Sequence, residues 1–205
     1  MENRRTFIGM SGALFLAAFV SGAAAKDAGP AAMTEARFWS IIAEVAPYAA
    51  DREKQIATLR ASLEKLALRE IEGFELIFAQ QMHASYSWDL WGAAYIIQGG
   101  ASDDGFEYFR RWLISRGREV FERAKADPDS LAGLAMPDSV EDREFEEIAY
   151  IALDVWGEKS GRDPEAMPNP APMAIGEKPS GVQFSEDPAA LKKRYPKLWA
   201  RFGVN

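Results

Sequence analysis

Residues 87–131 read SWDLWGAAYIIQGGASDDGFEYFRRWLISRGREVFERAKADPDSL, and the order of residues in this stretch decides the fold. Trp88, Trp91 and Tyr95 recur at i, i+3 and i+7, which places them on one face of a helix. Gly99-Gly100 predicts where that helix ends, because glycine adopts the left-handed backbone of a C-terminal cap without steric cost. Ser102, Asp103 and Asp104 follow as capping candidates, and Asp104 with Glu107 has the spacing of an aspartate capping box. A second helix carries Phe106, Phe109 and Leu113 on one side, with Tyr108 and Trp112 close by. Gly117 interrupts it, and a short third helix over Arg118–Lys125 runs through Val120, Phe121 and Ala124. Asp127-Pro128 stops that helix, since the residue before proline is pushed out of the helical region.

On the N-terminal side, Met33 or Thr34 opens a helix with Phe38, Ile41, Ile42 and Val45 on one face, ended by Pro47. Asp51 can cap the next, whose apolar positions are Ile56, Leu59, Leu63 and Leu66. A further helix over Arg69–His83 carries Ile71, Phe74, Ile77, Phe78 and Met82. On the C-terminal side, Asp138 or Ser139 is expected to cap a long helix through Phe145, Ile148, Ala152, Val155 and Trp156, closed by Gly157 and Gly161. Pro164, Pro168, Pro170, Pro172 and Pro179 then predict an extended segment over 161–187. Asp187-Pro188 starts a last helix, with Leu191, Tyr195, Leu198, Trp199 and Phe202 over 188–205. Its aromatic content fits docking back on the bundle; a partner-binding helix is the sharper alternative. No stretch alternates with period two and no internal repeat is present. The expectation is an all-α, compact multi-helix single domain, with residues 34–160 as its core.

Residues 1–25 resemble an export signal. Arg4-Arg5-Thr6-Phe7-Ile8 has the form of a twin-arginine motif, the apolar run Phe7–Val20 is short for a membrane span, and Ala23-Ala24-Ala25 offers a small-residue cleavage site before Lys26. Residues 26–33 then form a linker. Export places the protein in the periplasm or outside the cell, with no membrane span left once the signal is removed. A start at Met33 would instead leave it in the cytoplasm.

The net charge of the chain is -7, and removing a segment that holds Glu2, Arg4 and Arg5 makes the remainder one charge more negative. An acidic domain is a poor match for phosphate backbones, so nucleic acid is excluded as a partner. The chain has no cysteine and one histidine, His83. Thiol catalysis and thiolate zinc sites are therefore excluded, and any histidine-based site would run through one residue, at a predicted helix end. Phosphate-cradling loops, dinucleotide fingerprints, nucleophile elbows and paired-histidine helices are absent. No metal site and no cofactor is expected.

Two groupings remain as candidates. Asp89, Asp103, Asp104 and Glu107, with Arg110, Arg111 and Arg116 near in sequence, could share acid and base roles or hold a hard cation. The same order of residues also satisfies a helix–helix corner for structural reasons alone. Trp88, Trp91 and Tyr95 could stack on a sugar or a peptide aromatic, or could form core. The candidate patch is thus Trp88, Asp89, Trp91, Tyr95, Asp103, Asp104, Glu107 and Arg111.

The run Trp88-Asp89-Leu90-Trp91-Gly92-Ala93-Ala94-Tyr95, followed by Gly99-Gly100, Ser102-Asp103-Asp104-Gly105-Phe106, Phe109, Trp112-Leu113-Ile114-Ser115, Gly117 and Asp127-Pro128, resembles a bacterial family known as domain of unknown function 4240. The resemblance extends from Phe38-Trp39 through Trp156, and Leu198-Trp199 is also similar. It implies a mainly helical single domain and supplies no activity and no catalytic residues. The chain departs from the family pattern in its export signal and in Ala101, where a cysteine is expected. The function expected first is a binding or interaction module with a protein or small-molecule partner. The alternative is a carboxylate-dependent hydrolase acting on a cell-envelope substrate, and a third is a purely structural piece of a larger assembly.

Overall fold

The computed structural model describes residues 33–168 and 178–203, and the fold is all-α. The export signal of residues 1–25, nearly all of the linker, and Pro170 and Pro172 lie outside the described residues. Helix α1 spans Glu35–Val45, capped by Thr34, whose side chain accepts from the Arg37 amide; α2 spans Arg52–Glu64 and is capped by Asp51 in the same manner. α3 (Leu68–Ala84), α4 (Trp88–Gln98), α5 (Asp103–Ser115) and α6 (Arg118–Ala126) follow with short connections. α7 (Ile148–Ser160) packs against α2 and α3, while α5 contacts α1, α3 and α4. One continuous core results, with Phe38, Phe74, Phe106, Phe109, Trp112, Phe145 and Trp156 at its centre. None of the helices in the described residues is long and apolar enough to cross a membrane.

The corner between α4 and α5 forms as its residues dictate. Gly99 adopts φ 72° and Gly100 φ 127°, and both amides return to the Tyr95 carbonyl. Capping of α5, however, falls to Ser102, whose Oγ accepts from the Gly105 amide at 3.1 Å. Asp103 and Asp104 lie in the first turn, exposed, where their charge complements the helix dipole. The expected capping box does not form, because Glu107 pairs with Arg111 instead.

Three expectations are corrected. The helix predicted to begin at Asp138 or Ser139 starts only at Ile148. Before it, the buried Arg143 guanidinium collects the carbonyls of Pro137, Asp138 and Ile97, and the Phe145 amide donates to Tyr108 O on α5. Those tertiary hydrogen bonds satisfy the backbone outside a helix, leaving one 3-10 turn at Glu141–Arg143. Gly157 does not close α7 but lies buried inside it against Pro164, and Gly161 alone carries the left-handed cap. The single tail helix is two, α8 (Pro188–Arg194) and α9 (Pro196–Phe202), because Pro196 has no amide to donate and forces Tyr195 out of helical geometry. Asp187 caps α8 as expected, and the tail docks back on the bundle through buried Leu191, Tyr195 and Leu198.

Candidate functional site

The site begins at the α3–α4 turn. Ser87 caps α4 by accepting from the Leu90 amide, and this fixes the direction in which Trp88, Trp91 and Tyr95 leave the helix. Trp88 and Trp91 stack with centroids 5.2 Å apart at 11°, and Trp91 stacks in turn on Phe106 of α5 at 4.9 Å and 14°. The Trp91 indole N–H donates to Ala101 O at 3.1 Å, which ties the stack to the corner. Beneath it the buried Arg110 guanidinium lies 4.8 Å from the Tyr86 ring and 4.9 Å from Phe106, and its Nη1 donates to Met82 O. Burial lowers the Arg110 pKa to about 10, partly offset by Glu107. The three α4 aromatics are neither core nor free surface: all are half-buried.

Trp91 is covered by Trp88, Phe106 and the corner, while Trp88 and Tyr95 are covered by the segment 178–187. Ser180 pairs with the α3–α4 turn as one step of a parallel ladder, its amide donating to Tyr86 O at 3.0 Å and its carbonyl accepting from the Trp88 amide at 2.9 Å. Four residues on, Phe184 sits edge-on to Trp88 at 6.1 Å and 5.5 Å from the Tyr95 ring. The Tyr95 hydroxyl meets Glu186 Oε2 at 3.1 Å, and burial with that carboxylate holds the phenol above its usual range. Asp89, exposed on α4, accepts from Arg194 Nε at 2.9 Å, while Arg194 Nη2 also reaches the Val182 carbonyl. Tyr195 donates to Asp89 O at 3.0 Å, and burial pushes its phenol up to about 12. α9 is capped from a distance: Asp129, buried, accepts from the amides of Lys197 and Leu198.

The eight residues of the predicted patch therefore separate. Trp88, Asp89 and Tyr95 are gripped by the tail, and Trp91 lies beside them, stacked between Trp88 and Phe106. Asp103 and Asp104 stand exposed at the start of α5. Glu107 and Arg111 pair on α5, and Arg111 also donates to Glu146 O and lies over the Tyr108 and Tyr150 rings. Near them is a group that no spacing picked out: partly buried Glu75 on α3, whose carboxyl burial pushes up to about 7 against the pull of Arg111. Among the described residues no cluster of three or more histidine, aspartate or glutamate side chains could hold a metal ion. Phe184, Glu186, Arg194 and Asp129 are the working residues that local spacing did not reveal. Their partners lie roughly seventy to a hundred positions away, and the one cue was an isolated Phe in a polar, proline-rich segment.

The family model described as "protein of unknown function (DUF4240)" matches residues 33–158, well over half of the chain, and the chain belongs to that family. Among curated proteins and among solved structures nothing matches. The match takes in the whole of the α4 face and the α4–α5 corner, and stops short of the segment and helices that cover them.

Proposed function

We propose that this member of the family is a recognition module for extended peptide segments, with the Trp88–Trp91–Tyr95 face of α4 as receptor and its own residues 178–187 as a resident ligand. One observation carries the reading. Ser180 docks by two-sided backbone pairing and Phe184 by aromatic contact, which is how strand-adding peptide receptors divide affinity from side-chain choice. Gly92 leaves the space that this occupancy needs, since a methyl group there would meet Tyr195 and Phe184. A partner peptide is held in the same way: a backbone that pairs with Tyr86–Trp88, an aromatic side chain between Trp88 and Tyr95, and an acid two positions later for the Tyr95 hydroxyl. It binds by displacing the tail. The division of Asp89, Asp103–Asp104 and Glu107 among separate surroundings favours binding over hydrolysis. The export read from residues 1–25 belongs to the same proposal and sets the encounter in the periplasm or outside the cell, which fractionation of cells making the full chain tests.

The binding test uses the full chain carrying Phe184→Ala and Arg194→Ala, which releases the segment but leaves α4 intact. A synthetic peptide of residues 178–187 is titrated while the indole N–H signals of Trp88 and Trp91 are followed by NMR. Saturable shifts of both signals are expected. Signals that stay fixed up to millimolar peptide defeat the proposal.

A further inference from the structure

A second site lies away from α4, where the Pro47–Asp51 connection faces the loop that precedes α7. A cleft of about 530 Å³ opens there, walled by Pro47, Ala49, Met136 and Pro137, with Arg52, Arg116, Asp138 and Asp142 supplying its charge. That volume is in the range of small-molecule pockets. The four charged residues are not equivalent. Arg52 is spent: it pairs with Glu147, donates to the carbonyls of Asp142 and Glu144, and lies 4.1 Å above the Phe145 ring. Arg116, at the C-terminal cap of α5, is not. Its guanidinium lies 5.4 Å from the Trp112 ring, and its Nη1 is buried with no hydrogen-bond partner. Burial lowers its pKa. A buried donor of this kind is costly to leave unmade, and a fork of N–H groups is matched by a carboxylate. Asp138 and Asp142 lend carbonyl oxygens to arginines of the fold, and among the described residues their side chains form no ion pair.

We infer that this cleft binds a small zwitterion of the amino-acid type, its carboxylate on Arg116, its ammonium toward Asp138 and Asp142, and its apolar side chain against the proline and methionine wall. A simple anion such as phosphate satisfies Arg116 but brings negative charge toward two aspartates. A simple cation leaves Arg116 as it is. Only a ligand with both charges answers both ends of the cleft, and cleft residues all fall inside the family-matched part of the chain.

The test is a titration of the full chain with leucine, N-acetyl-leucine, leucinamide and inorganic phosphate, read at the Trp112 indole N–H by NMR. Leucine is expected to bind saturably and tightest of the four. Arg116→Gln is expected to weaken leucine at least tenfold while preserving the amide spectrum away from Trp112, because the Nη1 it removes makes no hydrogen bond in the fold. Asp138→Asn with Asp142→Asn, both at exposed positions, is expected to bring leucine down to the affinity of N-acetyl-leucine, and it carries the test alone if the Arg116 variant does not fold. The inference is overturned if no compound moves the Trp112 signal, if phosphate binds as well as leucine, or if either variant binds leucine as the wild type does.

Discussion

Gly92→Ala isolates the docking of the tail from the stability of the bundle. Gly92 sits in the middle of α4 with an ordinary helical backbone, so alanine fits the main chain and raises helix propensity by about 1 kcal/mol. That gain is shared by the docked and the released states, because α4 stays helical in both, and so it cancels from the docking equilibrium. The new methyl group does not cancel. It would lie 2.4 Å from Tyr195 Oη, 2.9 Å from its Cζ and 3.0 Å from Phe184 Cγ. Tyr195 is only 2% exposed and its hydroxyl is tied to Asp89 O, so it has little room to give. Overpacking of this order costs about 2 kcal/mol, which is roughly a thirtyfold rise in the released population. Hydrogen exchange measures it site by site. The amides of Ser180, Trp88 and Leu198 should exchange about thirty times faster, while those of α2, α3 and α7 change by no more than the small net change in global stability. Unchanged protection at Ser180 and Trp88 would refute the reasoning, and so would an equal loss of protection throughout the bundle.

Other perturbations separate architecture from function. Ser102→Ala should cost about 1 kcal/mol in denaturant unfolding as a lost cap, whereas Asp103→Ala, which loses only an exposed dipole contact, should cost a few tenths. Asp129→Ala removes the acceptor for two amides of α9, that of Leu198 buried and that of Lys197 partly so, and should cost about 2 kcal/mol, with Lys197 and Leu198 losing exchange protection first. Glu75 has a folded-state pKa of about 7 against an ordinary 4.5, so the folded protein holds the proton more tightly than the unfolded chain. Its contribution to stability is complete below about pH 4.5 and lost as the pH rises to 7. Glu75→Gln should therefore match the wild type at pH 4 and exceed it at pH 8 in thermal unfolding.

The fold was legible in the sequence wherever a local signal also decided the outcome. Thr34, Asp51 and Asp187 cap the helices that their positions predict, and Gly99-Gly100 turns the chain where two glycines must. Local signals failed where a distant partner competed. Phe145 lies at helical spacing from Ile148 and Ala152, yet Arg143 and the Tyr108 carbonyl hold its segment open from α4 and α5. The acidic corner looked like a site because Asp103, Asp104 and Glu107 are close in sequence, but Asp103 and Asp104, adjacent in the chain, do not face each other on a helix, and Glu107 is taken by Arg111 one turn further on. The aromatic stripe of α4 posed a choice between core and binding surface. The answer was a face covered in part by a segment whose pairing depends on Ser180 and Phe184; no periodicity marks either, and Phe184 stands out only as an isolated aromatic in a polar segment.

The most direct measurement compares two peptides on the full chain carrying Phe184→Ala and Arg194→Ala: residues 178–187 as they stand, and the same peptide with alanine at the Phe184 position. Seating an aromatic ring between Trp88 and Tyr95 should make the first bind roughly tenfold tighter, in keeping with partial burial of one aromatic side chain. Equal affinity for the two peptides, or no binding of either, would contradict recognition at the α4 face.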